Sequence, residues 1–350
     1  MVRLSTYKGV FAVEICFGSV SAKFLPGEGG KLASLMADGY EYLLQNPSPA
    51  FLRLGEAGDY VACECAGFDD MFPTIDPCAG SGGKTYPDHG EVCRMPWAYE
   101  IIDEKTDGTT GEKADEKPDG TTGEKADEKP GGITGEKIAM KFVSEKFGYR
   151  IEKTIGKGDG DALEISYEIE NTGREPLPCL YAAHCLVNAE NGGKIIVPFR
   201  ANNETNAGNE TNAGDETELF FDTTATFPQG ETKRPLREEM IDFPAQRGEK
   251  RCYKLYFPAK CGGYAVGFRP EGKSAFMIDV EGLPFAGIWV NDDYFNGARC
   301  VGLEPCSARY DSPENAEKRG EMAVLLPREK LKFKLGLSVE KTIEKNVEKR

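Results

Sequence analysis

Leu331-Lys332-Phe333-Lys334-Leu335-Gly336-Leu337-Ser338-Val339 sets an apolar side chain at every second position, with lysine, glycine or serine between. Successive side chains of an extended strand point to opposite faces, so this run reads as a strand with one face in a core and one in water. Leu163, Ile165, Tyr167 and Ile169 alternate with Glu164, Ser166, Glu168 and Glu170 in the same way, ending at Asn171-Thr172-Gly173. Ile138, Met140 and Phe142 repeat the pattern, and Tyr149 and Ile151 begin another, which puts Phe147-Gly148-Tyr149 near a hairpin turn. Glycine makes up 41 of 350 residues, against a usual share of about 7%. That density of turn-formers suits many short strands. The chain reads as all-β.

Helical spacing is scarce. The tail 340–350 has Ile343 and Val347 four apart, which fits either a short helix or a frayed end. Two low-complexity repeats interrupt the strand pattern. TDGTTGEKADEK from Thr106 returns at Pro118 and in part at Pro130, and NETNAGNETNAGDET spans Asn203 to Thr217. Neither has the apolar surface needed to offset the entropy of ordering, so inserts at about 103–137 and 201–217 read as expanded surface loops. With no secretion signal read in the sequence, the sequons at Asn203 and Asn209 read as incidental. The remainder, within 1–339, fits a single domain: one large antiparallel β-sandwich.

A formal charge of -15 is the wrong sign for tracking nucleic-acid phosphates or anionic lipid. No apolar run reaches the roughly 18 residues of a membrane span. The apolar stretch Gly9 to Val20 is broken by Glu14 and lacks a small-residue cleavage site, so it does not read as a signal peptide. Eleven cysteines without regular pairing suit reduced thiols, and hence a cytoplasmic protein. Their spacings also miss the C-x2-4-C pairs of structural zinc, so neither a metal nor another cofactor is expected. Cys78-Ala-Gly-Ser-Gly-Gly-Lys-Thr85 comes near a phosphate loop and a nucleophile elbow. It completes neither, because Cys78 and Ala79 stand where glycines are needed and no strand leads in.

The chain has two histidines. His184 sits in an apolar run, Cys179 to Asn188, that reads as a buried strand; on its own it could be a core imidazole satisfied by a carbonyl. His89 lies in a turn-rich segment and could simply organise Asp88. Glu304 follows an apolar stretch and precedes Pro305, which suits either a solvated turn residue or a poised acid or base.

Taken in order, these pieces resemble the aldose 1-epimerase (galactose mutarotase-like) superfamily. Gly29-Gly-Lys-Leu-Ala-Ser-Leu35 with Glu41-Tyr-Leu-Leu44 is similar to its opening hairpin. Phe68-Asp-Asp-Met-Phe-Pro-Thr-Ile75 and Asp88-His-Gly-Glu91, with Arg94 and Trp97, resemble its sugar-pocket segments. His184 to Asn188 resembles its histidine strand, Gly302-Leu-Glu-Pro305 its glutamate strand, and Gly287-Ile-Trp-Val290 the strand before that. Cys185-Leu-Val187 stands where aromatics follow the histidine in the galactose-specific branch, and Asn291-Asp-Asp293 is unusually acidic. Those departures mark a divergent branch.

The resemblance implies a galactose mutarotase-like supersandwich with a sugar site on a concave face and a small-molecule aldose as partner. It implies Glu304 as general base on the anomeric hydroxyl and His184 as general acid on the ring oxygen. His89 would polarise the ring oxygen, and Arg94 would hold a hydroxyl or a charged substituent. Asp70, Trp97, Trp289 and Asn188 would line the pocket. Independently of the resemblance, opening a hemiacetal needs one acid and one base near neutral pH, which a carboxylate and an imidazole supply. Two other readings stay open. A glycoside hydrolase or lyase would need a second carboxylate beside Glu304, and a non-catalytic carbohydrate-binding protein would need neither proton-transfer group.

Overall fold

The computed structural model describes residues 1–80, 83–103, 135–197, 218–221, 233–235, 240–248, 250–258 and 263–340. All of the tail 340–350 but Glu340, almost all of the first repeat and all of the second lie outside these residues. Two antiparallel sheets dominate. The smaller runs Met240–Phe243, Gly193–Ile196, Tyr264–Pro270, Ala275–Glu281, Lys330–Glu340, Leu163–Asn171, Tyr149–Lys157, Lys137–Ser144, Ala98–Ile102. Its centre pairs the two runs whose alternation is plainest in the sequence, with Ile165 opposite Leu335 and Tyr167 opposite Phe333. Phe333, Leu335 and Leu337 are buried, while Leu331 and Val339 at the strand ends are half-buried. On the wet face Lys332 and Lys330 pair with Glu168 at 2.9 and 2.5 Å. The hairpin expected near Gly148 is present: Gly148 N–H donates to Ser144 O and its φ is +74°.

The larger sheet runs Val2–Tyr7, Val10–Phe17, Val20–Leu25, Lys31–Ala37, Phe68–Met71, Ala182–Asn188, Arg299–Cys306, Phe285–Asp292, Arg251–Pro258, Glu218–Phe221, Lys233–Pro235, with Tyr40–Glu41 beside Lys31–Ala37. One continuous core joins the sheets: Ala183, Cys185, Val187, Val301 and Leu303 share it with Ile151, Ile165, Phe276 and Leu335. Ring contacts cross the gap, as in Tyr181–Phe333 at 4.3 Å and Tyr42–Phe276 at 5.9 Å. The protein is a β-sandwich, the architecture that the strand pattern implies.

One ion pair is buried inside this core. Lys153, from the smaller sheet, sets its Nζ 2.8 Å from Asp70 Oδ2, from the larger, and donates to Gly30 O at 2.7 Å. Tyr181 donates its hydroxyl to the other Asp70 oxygen at 2.7 Å, and the Lys153 ammonium lies 4.9 Å from the Trp97 ring centroid. Such a pair holds its place only because its remaining hydrogen-bonding capacity is also met.

Among the described residues the one α-helix is Pro313–Lys318, which the sequence reading did not anticipate. Ser312 caps it through its side chain, and proline occupies the first turn. Ahead of the cap, Asp311 O accepts from Ile75 N and Asp76 N, which ties this turn to the segment after Phe68–Met71.

The first repeat joins neighbours. Ala98–Ile102 and Lys137–Ser144 pair directly, with Ile102 opposite Lys137. Gly135 bridges to Val2 and Glu136 N–H donates to Ile102 O, so the insert's last residues, 135–137, belong to the sandwich. Closing a shorter loop between paired strands costs little. Deleting residues 106–129 is expected to leave Tm within a few degrees; a large drop in a thermal melt would show that the repeat packs on the core.

Candidate active site

Ladder register decides which side chains meet. Asp69 stands opposite His184 across one strand boundary. The pairs Ala182–Cys306 and Cys185–Leu303 carry His184 opposite Glu304 across the next, and Glu304 faces Gly287 across a third. Side chains alternate along each strand. Ala183, Cys185 and Leu303 therefore point into the core, while Asp69, His184 and Glu304 form a row on the face turned away from the smaller sheet. Trp289 and Lys254, opposite each other, stand on that same face two positions along. Two glycines make room: a Cβ at Gly302 would lie 3.0 Å from Glu304 Oε1, and one at Gly287 would lie 3.2 Å from Glu304 Cβ.

The row opens into a cavity of about 370 Å³ lined by His89, His184, Glu304, Lys254, Asp311 and Tyr60 with the aromatic rings of Trp289, Tyr294 and Phe295. His184 Nε2 is 3.7 Å from Glu304 Oε1, and both side chains are buried. Lys254 Nζ lies 2.6 Å from Glu304 Oε2 and 2.6 Å from Asp311 Oδ1, and Tyr256 OH donates to the same Asp311 oxygen. The His89 ring stacks on Tyr60, centroids 3.7 Å apart and planes 6° apart, and lies 5.2 Å from the His184 ring. Trp289 is 5.7 Å from His184. At the rim, Tyr294 and Phe295 are held on a turn by Asn291 Oδ1, which accepts both of their N–H groups.

Burial disfavours charge. It pushes the His184 imidazolium well below its ordinary range, and the neighbouring His89, Lys254 and Lys31 push the same way. Burial also pushes the Glu304 carboxyl up; the Lys254 ammonium pulls it back, and the net direction is upward. Lys254 itself would be lowered by burial, but Asp311 and Glu304 outweigh that and raise it, so it is a firm ammonium. The wall thiols are inert: burial lifts Cys65 to about 12 and Cys252 to about 11. Among the described residues no group of His, Cys, Asp or Glu is placed to hold a metal ion.

Of the eight residues assigned by resemblance, Glu304, His184, His89 and Trp289 converge here. The other four are placed elsewhere, each for a physical reason. Asp70 pairs opposite Ala183 and so faces inward to Lys153; its neighbour Asp69 takes the site face. Trp97 is a core ring whose Nε1 donates to Val92 O. Arg94 spends its guanidinium on backbone carbonyls, chiefly Gly58 O and Asp88 O at 2.7 Å each, and so clamps the loops carrying Tyr60 and His89 together. Asn188 sits four residues beyond His184, about 13 Å along the strand, where its Oδ1 accepts from Glu190 N. The sequence reading missed Tyr60, Asp69, Lys254 and Asp311. Of these only Lys254 carried a signal, a lone lysine within the apolar strand Arg251–Pro258, where a buried ammonium demands an anion.

Solved structures share this architecture end to end. The Slr1438 protein of Synechocystis superposes with a TM-score of 0.62 at 15% identity, covering 96% of this chain and 98% of that one. A galactose mutarotase-like protein from Clostridium acetobutylicum gives 0.58 at 13% identity, over 97% and 98%. A galactose mutarotase related enzyme from Lactobacillus acidophilus gives 0.56 at 14%, over 95% and 98%. The fold is galactose mutarotase-like. No protein-family model matches the chain, and neither does any curated protein sequence. On this mutarotase-like scaffold the Glu304–His184 row lies near the middle of the larger sheet, where neighbouring strands fix both side chains. No described helix is long and apolar enough to cross a membrane.

With two histidines in the chain, imidazole titration can be followed in 15N-histidine-labelled protein. His184 is expected to titrate with a midpoint below the ordinary 6.5 or so. Lys254→Met, which removes a nearby cation, is expected to raise that midpoint. A wild-type midpoint at or above 6.5 would contradict the burial argument.

Proposed function

We propose that the protein interconverts the anomers of an aldose by acid/base ring opening. The observation that carries this reading is Glu304 and His184 side by side, 3.7 Å apart, on the floor of a cavity with an aromatic wall. Glu304 takes the proton from O1 as the C1–O5 bond breaks and the C1–O1 bond becomes a carbonyl, while protonated His184 gives its Nε2 proton to O5. After rotation about C1–C2 the transfers reverse and the ring closes on the other face. Burial makes the imidazolium a stronger acid and the carboxylate a stronger base, while leaving a smaller fraction of the protein with His184 protonated near neutral pH. Because the reaction must run both ways, proton affinities drawn toward each other also suit the return transfers.

Lys254 weakens the glycoside-cleaving alternative. Its ammonium contacts both Glu304 and Asp311, so it fills the gap in which a glycosidic oxygen would have to sit between two carboxyls. With Lys254 paired and Arg94 folded onto backbone carbonyls, the cavity fits an uncharged aldose better than a phosphorylated one. Ten free cysteines among the described residues suit a reducing compartment such as the cytoplasm.

The test is anomer exchange by NMR saturation transfer across free and phosphorylated aldoses. Wild-type protein is expected to accelerate exchange of a free aldose, and Glu304→Gln is expected to lose about 10²–10⁴-fold while still shifting ligand resonances. Ligand shifts without acceleration by the wild type would mean that the cavity binds sugar and does not open it.

A further inference from the structure

A tyrosine outside the acid/base pair governs what His184 can do. Tyr60 is 3% exposed, and its hydroxyl touches two groups: Asp69 Oδ2 at 2.7 Å and His184 Nδ1 at 2.9 Å. A phenol has one proton to donate and an ionised carboxylate can only accept. The same Asp69 oxygen accepts from the Lys31 ammonium at 2.5 Å, in a buried ion pair; that ammonium also donates to Ala66 O at 2.7 Å and Glu64 O at 3.2 Å. The Tyr60 proton therefore goes to Asp69, and the contact with His184 is satisfied only if Nδ1–H donates to the phenol oxygen. In neutral His184 this leaves Nε2 bare, facing Glu304 and the cavity.

We propose that Tyr60 is a positioning residue for His184: anchored by Asp69 and Lys31, its hydroxyl holds a ring proton on Nδ1 and reserves Nε2 for exchange with substrate. A free imidazole samples both tautomers and can turn about its ring axis; either change would take the exchangeable nitrogen away from Glu304. Tyr60 is itself held. His89 covers its ring face, Arg94 ties down its loop through Gly58 O, and Asn296 Nδ2 donates to Val61 O at 2.8 Å. Asp69 owes its place to the ladder, which sets it directly opposite His184. The contribution to rate rests on the anomerase reading; the tautomer does not.

The experiment is long-range 1H–15N correlation on the full-length 15N-histidine-labelled protein, at a pH where His184 is neutral, with His89→Gln to assign the two rings. Wild-type His184 is expected to show a protonated Nδ1 and a bare Nε2. Tyr60→Phe keeps the stacked ring and removes the hydroxyl. It is expected to shift His184 toward the other tautomer and to lower kcat for anomer exchange about 10–100-fold with KM little changed. A wild-type His184 protonated on Nε2, or a tautomer unmoved in Tyr60→Phe, overturns the proposal even if exchange is fast. If the expected tautomer is found but no aldose is turned over, the anomerase reading falls and the Tyr60 contact stands. Should Tyr60→Phe fail to fold, the wild-type spectrum alone decides.

Discussion

The site depends on one cross-strand contact, His184 facing Glu304 in the middle of a twelve-stranded sheet. Burying a carboxylate costs several kcal/mol unless neighbours compensate it, and each partner here has its own compensation. Lys254 and, behind it, Asp311 balance Glu304. The phenol of Tyr60, backed by Asp69 and Lys31, satisfies the far nitrogen of His184. The two supports approach from opposite sides of the row. What remains between them, Nε2 and Glu304 Oε1, is the pair of atoms turned toward the cavity.

The same alternation that builds this face builds a second polar cluster on the other. Asp69 and Asp70 are adjacent in sequence, yet one belongs to the site and the other to the Lys153–Tyr181 cluster between the sheets. A slip of one residue in Phe68–Met71 would exchange their roles and leave each lysine facing the wrong side. The two ion pairs thus tie register to the site: Lys31 accepts only a strand that presents Asp69 outward, and Lys153 only one that presents Asp70 inward.

Legibility in the sequence followed solvent exposure. Lys330–Glu340 and Leu163–Asn171 have one wet face, so their alternation was plain and their place in a sandwich could be read. Arg299–Cys306 is buried at every position and Ala182–Asn188 at all but its last. Without a polar face such strands carry no alternation, so nothing in the text could say that Asp69, not Asp70, accompanies His184. Glu304 and His184 were legible as rare polar residues in apolar runs. Tyr60 lies in the irregular stretch between Glu41 and Phe68, where no periodicity announces its direction, and Asp311 sits just ahead of a six-residue helix too short to show helical periodicity. Arg94 and Trp97 lie in the segment the resemblance points to, but Arg94 braces loops and Trp97 fills the core.

On the proposed reading, Nε2 of His184 and the carboxylate of Glu304 act on one hemiacetal. The most direct measurement is a crystal structure of the Glu304→Gln protein with an aldose that the wild type turns over. The expected result puts the anomeric hydroxyl within about 2.6–3.2 Å of the residue 304 side chain and the ring oxygen at a similar distance from His184 Nε2, with Trp289 beside the sugar. A sugar bound with its reducing carbon away from both side chains, or held outside the cavity, would contradict the account.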